Sequence, residues 1–564
     1  MKRLNVVSFY FVHGLFASAA RFNNVIVNVN DLFKRLFKEE KDGIKNIHSC
    51  YSAQTNAGRD AIYSLNLMIE KAFDEYIYYF EDILLNGLIS RRRKYNNYKD
   101  IECFIYLSFT CHSLGGNVTR GIIHKLYSPY IRDNQEYENY YEYIKSKYTF
   151  ITDIIPCSYL TINTPHLGSR VAAPSEVGGI GNKIERYFVQ RFCNKIDAIG
   201  KELTFFEEEI TDEENMENNK DIEIEINSEK DSSLVNEEDE ISISDNNKNR
   251  NNNNNNNNKN NNIIKNKNNN GSTTSTTTTQ EDTNSSSSKE KNKNKNKNKK
   301  NKDKDVKIKK LSDSILMKYC EKGPMENLAR FPNRTLTGLL RNDMMVKYCS
   351  ALGCIETPLV SMQKNEKDIL IKKKNNDTRI VMYSGYNTGS ELEYYKREIF
   401  NDKVSKNFYD NNTKEVISLD IDKQIKDALK SREKKNKSKK KSKVNLNEDH
   451  EKKEDTFEVF EKMKDEFIID NENQVKVPLG LVKKFNQIPF RRVTFDFMVP
   501  AGMLRMFSHS LCLDVEYIDY EKYKIKPVVE KTRKFYCNLL IADYIRTSNQ
   551  TNNYSLLNLI ENKE

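Results

Sequence analysis

The strongest chemical signal in the sequence is a serine between a strand-like and a helix-like segment. Ser113 lies in Cys111-His112-Ser113-Leu114-Gly115-Gly116, after the apolar run CFIYLSFT at 103–110 and before GNVTRGIIHKL at 116–126. A serine on such a sharp turn projects its hydroxyl from the edge of a sheet. This context predicts a nucleophile elbow in which Ser113 attacks the substrate. The alternative is a Ser-Gly helix start that carries no reaction.

The neighbours of the serine must be small, because the turn brings them against adjacent backbone. Gly115, two positions after Ser113, meets this requirement. Cys111, two positions before it, stands where glycine is usual. We therefore expect the Cys111 side chain either to crowd the turn or, because a thiol is small, to fit there with little strain.

A second segment, His13-Gly14-Leu15, ends the apolar run at 4–12. In hydrolases with a serine elbow, a loop in this place donates one N–H to the oxyanion, and the residue after the nucleophile donates the other. These positions assign the backbones of Leu15 and Leu114 to an oxyanion hole. The run also resembles a secretory signal, with basic residues before it and ASAA at 17–20. Because Asn5 and Ser8 interrupt it, we expect a buried strand instead.

The general base can be predicted by elimination among seven histidines. Five belong to the loop, the elbow, a strand or helix flank, or a charged segment: His13, His112, His48, His124 and His450. Of the other two, His166 precedes the candidate acid, whereas His509 follows the last strand candidate. His509 therefore fits the chain order Ser, Asp, His. The alternative for His509 is a half-buried imidazole whose partners are backbone groups.

The predicted acid is Asp343, which directly follows the strand candidate RTLTGLL and Arg341-Asn342. Its carboxylate would hold the imidazole in the correct tautomer and stabilise the imidazolium. An aspartate after a strand is often only a turn former, and Asp153 and Asp313 are rivals for the role.

The elements that must position these residues alternate between strand-like and helix-like segments. Strand candidates occur at 4–12, 46–51, 103–110, 158–163, 334–340 and 491–499, and a long amphipathic helix is predicted to open at Gly58. Such alternation predicts an α/β fold, with a mostly parallel sheet and helices on both faces.

Two polar, low-complexity segments interrupt this pattern. Residues 207–245 contain 17 acidic residues and two lysines, poly-Asn follows at 251–258, and Lys-rich runs occupy 289–310 and 430–443. Neither segment can bury a hydrophobic face, so both are expected to be disordered. The predicted organisation is one domain in three parts, 1–205, 311–400 and 476–564, with insertions at 206–310 and 401–475.

Composition excludes several other classes of protein. Charged residues make up 30% of the chain and the formal net charge is +10, but the charge lies in blocks that are typical of solvated linkers. The Lys-rich runs lack the interleaved aromatic residues that stack on bases, so no nucleic-acid partner is expected. Ten cysteines show no C-x-x-C spacing and predict a reducing compartment. No apolar run is long enough to cross a membrane.

Five motifs in order resemble the DUF676 family of serine esterases, a lipase-like group of α/β-hydrolases: VHGL at 12–15, HSLGG at 112–116, SYLTINTPHLGSR at 158–170, RTLTGLLRNDMMVKYCSA at 334–351 and SHSLCLD at 508–514. The resemblance implies an α/β-hydrolase fold with Ser113, Asp343 and His509 as catalytic residues. It also places Pro165, His166, Leu167 and Gly168 in a loop expected near the substrate pocket. The chain departs from the family pattern at Cys111, Lys347 and Ser510.

The resemblance and the residues together predict a serine esterase or lipase that acts through an acyl-enzyme intermediate, with no cofactor and no metal. The expected partner is a small lipid ester, and the expected location is cytoplasmic, with peripheral contact with membranes or lipid droplets left open. The alternative function is a catalytically weak hydrolase-fold scaffold whose charged segments bind partners.

Overall fold

A seven-stranded sheet forms the centre of the computed structural model. The strands are hydrogen-bonded in the order β2-β1-β3-β6-β7-β11-β8, and only β8 runs antiparallel to its neighbour. Their bounds are β1 Arg3–Val12, β2 Ile44–Ser52, β3 Glu102–His112, β6 Asp153–Ile162, β7 Asn333–Leu339, β8 Thr378–Ser384 and β11 Arg491–Phe497. Four short strands form two separate hairpins: β4 Tyr130–Arg132 with β5 Gln135–Tyr137, and β9 Phe467–Ile469 with β10 Val475–Pro478.

The structure describes residues 2–93, 100–169, 197–204, 314–340, 343, 345–355, 378–384, 421–441, 467–469, 475–497, 504–513, 515, 518–523 and 525–556. Within these residues the α-helices are α1 Asn23–Leu36, α2 Leu65–Tyr78, α3 Asn86–Arg92, α4 Gly115–Leu126, α5 Tyr140–Lys147, α6 Asp197–Thr204, α7 Ile315–Lys318, α8 Lys322–Ala329, α9 Tyr348–Leu352, α10 Ile421–Lys441, α11 Leu479–Phe485, α12 Leu504–Leu511 and α13 Lys526–Thr547. The described residues also include two 3-10 helices, Ala19–Phe22 and Gly58–Ile62, and a π-helix, Tyr79–Leu85.

Both faces of the sheet are covered by helices, as the alternation of side chains along β1 shows. Side chains that point to opposite faces alternate along a strand. Leu4, Val6, Tyr10 and Val12 join one core with α2 and α4, whereas Val7, Phe9 and Phe11 join the other with α1 and α13. The predicted α/β class and the mostly parallel sheet with helices on both faces are confirmed.

The helix predicted to open at Gly58 is the clearest difference from the sequence pattern. Gly58 has a φ of +55° and starts a short 3-10 turn, and Tyr63 is extended with a ψ of 174°. The helix α2 begins only at Leu65, where Ser64 Oγ accepts a hydrogen bond from Leu67 N at 3.3 Å. The amphipathic pattern thus spans a turn and a helix, because a serine N-cap sets the real start.

The described part of the second charged segment includes a helix that its composition does not predict. Helix α10 lies inside 401–475, and its Ile425 and Leu429 are buried in the same core as α2 and α4. These residues are four apart and therefore lie on one face of the helix. The predicted disorder is wrong for this helix, while the first insertion, 206–310, lies outside the described residues.

All described residues belong to one compact unit, which combines Met1–Asp221 with Lys307–Glu564. The predicted domain boundaries themselves stay a prediction. None of the helices within the described residues is both long and apolar enough to cross a membrane.

Candidate active site

The candidate site residues follow strands whose carboxyl ends share one edge of the sheet. His13 follows β1, Ser113 follows β3, and Asn163 follows β6. Further along the sheet, Asp343 follows β7 and His509 follows β11. Because these five strands are parallel, their carboxyl ends converge there, which is where ligands bind in sheets of this kind.

The turn that carries Ser113 has the strained backbone expected of a nucleophile elbow. Ser113 has a φ of +52°, a region that residues other than glycine rarely adopt, and its N–H donates to the Ile162 carbonyl at 2.8 Å. Gly115 begins α4 against the loop after β1, where an added Cβ would lie 2.5 Å from the His13 carbonyl oxygen. The absence of a side chain at Gly115 therefore permits the sharp turn.

The loop His13-Gly14-Leu15 packs directly on this turn. An added Cβ at Gly14 would lie 3.0 Å from Ser113 Oγ and 3.0 Å from the His112 carbonyl oxygen. Leu114 lies just before α4, and its backbone N–H and that of Leu15 have no hydrogen-bond partner among the described residues. Both groups could donate to a ligand, so the assigned oxyanion hole stays a prediction.

His13 supports the shape of this loop. Its Nδ1 lies 3.0 Å from the Gly14 carbonyl and must donate, because a carbonyl only accepts. Burial lowers the pKa of His13 below its ordinary value. The ring is therefore neutral near pH 7 and places no positive charge beside Ser113.

The Cys111 side chain is directed to α4, the helix that follows the elbow. Its buried Sγ donates to Thr119 Oγ1 in α4 at 3.1 Å. Burial raises the pKa of the Cys111 thiol to about 12, so the group is neither ionised nor nucleophilic near pH 7. At the position where glycine is usual, the Cys111 thiol thus packs against α4.

His509 and Asp343 form a buried hydrogen-bonded pair. His509 Nδ1 lies 2.8 Å from Asp343 Oδ2, and the two side chains are 9% and 2% exposed. Asp343 Oδ1 accepts from the N–H groups of Met345 and Val346 at 3.0 and 2.9 Å, which fixes the carboxylate. The remaining ring nitrogen, His509 Nε2, is buried and has no partner among the described residues.

The His509–Asp343 pair lies against the elbow through His112, the residue before Ser113. The rings of His112 and His509 have centres 5.0 Å apart, and His112 Nε2 lies 3.1 Å from the His509 carbonyl oxygen. The structure thus places the His509–Asp343 pair beside the residue that precedes Ser113, although Ser113 and His509 are 396 positions apart in the sequence. A hydrogen bond between the side chains of Ser113 and His509 stays a prediction.

Asp153, one of the two rivals for the acid, does not reach this edge. Asp153 begins β6 at the opposite edge of the sheet and pairs with Lys145 Nζ at 3.4 Å. Asp313 lies outside the described residues. Lys347, where the family has proline, donates from Nζ to the Asp343 carbonyl at 3.1 Å and so ties down the loop that carries the acid.

The loop predicted to lie near the substrate pocket is buried and tied to the fold. His166 Nε2 lies 3.0 Å from Thr161 Oγ1, and its ring stacks on Phe485 with centres 4.7 Å apart. The carbonyl of Pro165 accepts from Asn117 Nδ2 at 3.1 Å. Leu167 and Gly168 are likewise buried. These contacts indicate a structural role, and contact with substrate at these residues stays a prediction.

Asn163 is a site residue that the sequence reasoning missed. It is buried, has a φ of +51°, and its Nδ2 donates to the His509 carbonyl at 2.9 Å. Asparagine tolerates the left-handed region better than most residues. An asparagine directly after a buried strand is therefore the sequence feature that could have identified Asn163 as a site residue.

A parallel sheet with a strained serine turn and a buried His–Asp pair at its carboxyl edge is typical of serine hydrolases. In agreement, residues 8–238 match the family model described as "Putative serine esterase (DUF676)". The resemblance predicted from the motifs is thus confirmed for that part of the chain, and it supports a lipase- or esterase-like hydrolase.

Other comparisons add little to this assignment. A solved structure, "Phospholipase PlaB from Legionella pneumophila in complex with thio-NAD", is 14% identical over 32% of this chain and 29% of its own, with a TM-score of 0.16. The match spans less than a third of that phospholipase, and a TM-score this low carries no weight for fold or function. No curated protein matches the chain.

Proposed function

We propose that the protein is a serine hydrolase that cleaves a carboxylic ester, and that this ester belongs to a lipid. The observation that carries the proposal is the buried His509–Asp343 pair, 2.8 Å apart, beside the strained elbow of Ser113. An imidazole with one nitrogen held by a carboxylate and the other without a partner among the described residues is the arrangement a general base needs. The lipid part of the proposal rests on the esterase family resemblance.

In the proposed reaction, Ser113 Oγ attacks the ester carbonyl carbon while His509 Nε2 takes the hydroxyl proton. The carbonyl oxygen becomes negative, and the N–H groups of Leu15 and Leu114 stabilise it. The imidazolium then gives its proton to the leaving alcohol, which leaves an acyl group on Ser113. Water, deprotonated by His509, attacks this acyl-enzyme, releases the carboxylic acid and restores the serine.

We also propose that the segments 1–205, 311–400 and 476–564 make one hydrolase domain with two insertions between them. Asp343 and His509 come from the second and third segments, which supports a site built across all three. The expected location is the cytoplasm, with peripheral contact with membranes or lipid droplets where the substrate is found. All nine cysteines among the described residues are free thiols, in keeping with a reducing compartment.

The test is hydrolysis of p-nitrophenyl esters of short and long acyl chains by the full chain and by Ser113→Ala. We expect the variant to lose activity by a factor on the order of 10⁶, as for removal of other serine nucleophiles. Ser90→Ala is the matched control, because Ser90 is exposed and its Oγ bonds only to the Asn86 carbonyl in α3. A folded but inactive wild-type protein would favour the catalytically weak scaffold instead.

A further inference from the structure

The carbonyl group of His509 accepts hydrogen bonds from two buried side chains of other elements. Asn163 Nδ2 donates to it from the end of β6 at 2.9 Å, and His112 Nε2 lies 3.1 Å away, at the end of β3. The side chains of His112 and Asn163 are almost completely buried. Both donors therefore act in a dry environment, where an unmade hydrogen bond is costly.

The donor that the described part of its own segment offers this carbonyl group is the Cys512 thiol, a weak donor 3.7 Å away and just beyond α12. His509 lies in the last turn of the eight-residue helix α12, and the last four carbonyl groups of a helix lack an intrahelical donor. The next hydrogen bond along the chain, from Leu513 N, goes to the Ser510 carbonyl. The side chains of His112 and Asn163 thus supply hydrogen-bond donors to a carbonyl group near the end of α12, and they connect the backbone of His509 to the sheet.

The protonation of His112 is set by this contact. A carbonyl oxygen only accepts, so His112 Nε2 carries the proton, and its Nδ1 has no partner among the described residues. Burial and, to a lesser degree, the neighbouring His509 lower the pKa of His112 well below its ordinary value. His112 therefore stays neutral and does not repel the charge that His509 acquires in the reaction.

We propose that His112 and Asn163 are positioning residues, which hold the backbone of His509 so that its imidazole meets both Asp343 and Ser113. Asp343 fixes the ring through Nδ1 at 2.8 Å, while the two donors fix the main chain from which the side chain extends. Because the ring of His509 is held through Nδ1 and its main chain through the carbonyl group, only the Nε2 nitrogen remains available for proton transfer. This inference rests on the proposed function, because it assigns a role to groups that act through the proposed base.

The test compares His112→Leu, which removes the donor, with His112→Gln, whose side-chain amide keeps an N–H donor. For p-nitrophenyl ester hydrolysis we expect His112→Leu to lower kcat by about tenfold to a hundredfold, the cost of a displacement near 1 Å, with KM nearly unchanged. His112→Gln should recover most of the lost kcat. His48→Leu is the control, since His48 is a partly buried histidine on β2 that bonds to Asn30 Oδ1 at 2.7 Å, away from the site.

A second variant keeps the test decisive if His112→Leu does not fold. Asn163→Asp keeps a residue that accepts the positive φ but loses the amide donor, and it should lower kcat in the same direction. An active wild type with unchanged kcat in His112→Leu, or in Asn163→Asp, would refute the inference alone. Equal losses in His112→Gln and His112→Leu would refute it as well. An inactive wild type would refute the proposed function and the inference together.

Discussion

Replacement of Gly14 by alanine is the perturbation whose geometric effect on the site can be worked out most directly. A Cβ at Gly14 would lie 2.4 Å from Ser113 Cβ, whereas ordinary contact between such atoms begins at 3.4 Å. The loop and the elbow must therefore separate by about 1 Å, and a displacement of that size can lower the rate about a hundredfold. Overpacking of this kind also destabilises a protein by about 1–3 kcal/mol.

The assay measures kcat for p-nitrophenyl ester hydrolysis and the free energy of unfolding by urea denaturation. We expect Gly14→Ala to lose about two orders of magnitude in kcat, far more than its stability loss explains. Gly87→Ala is the matched control, because an added Cβ there meets no atom within 4 Å. It should leave kcat unchanged and, at a helical position, stabilise the protein by about 0.5–1 kcal/mol. A Gly14→Ala protein with wild-type kcat would refute the close packing of the loop on Ser113.

Two further predictions concern the groups around the elbow. In Asp343→Asn, the amide oxygen should keep the hydrogen bonds from Met345 N and Val346 N, which turns the NH₂ group toward His509 Nδ1 and imposes the wrong tautomer. We expect kcat to fall by about 10⁴ with little loss of stability, and a loss below about tenfold would contradict the role of Asp343. Cys111→Gly should lose about 1–3 kcal/mol of unfolding free energy, because Thr119 Oγ1 loses its partner, with kcat nearly unchanged. A large loss of kcat in folded Cys111→Gly would show that the thiol contributes to the reaction.

The sheet could be predicted from the sequence because its strands are buried on both faces. Such strands are short apolar runs, and the run at 103–110 lies within the observed strand Glu102–His112. The chain order Ser, Asp, His then selected His509 among seven histidines, and the structure places its ring 2.8 Å from Asp343. Local pattern and chain order were sufficient for these features.

Other features depend on contacts that no local pattern records. The bond from His112 Nε2 to the His509 carbonyl joins residues 397 positions apart, so neither the donor nor its tautomer follows from the motif. The helix α10 in the charged segment was missed because buried Ile425 and Leu429 contribute little to its strongly basic composition. The start of α2 was misplaced because a serine N-cap at Ser64 competes with the longer amphipathic pattern.

The central claim, that Ser113 is a nucleophile activated by His509, is tested most directly by mapping the residue that reacts with a fluorophosphonate probe. The full chain is treated with the probe, digested, and the labelled peptide is identified by mass spectrometry. We predict a single covalent adduct on Ser113, formed slowly in His509→Gln and absent in Ser113→Ala. A folded wild-type protein that takes up no label, or a label on another residue that survives in Ser113→Ala, would contradict the account.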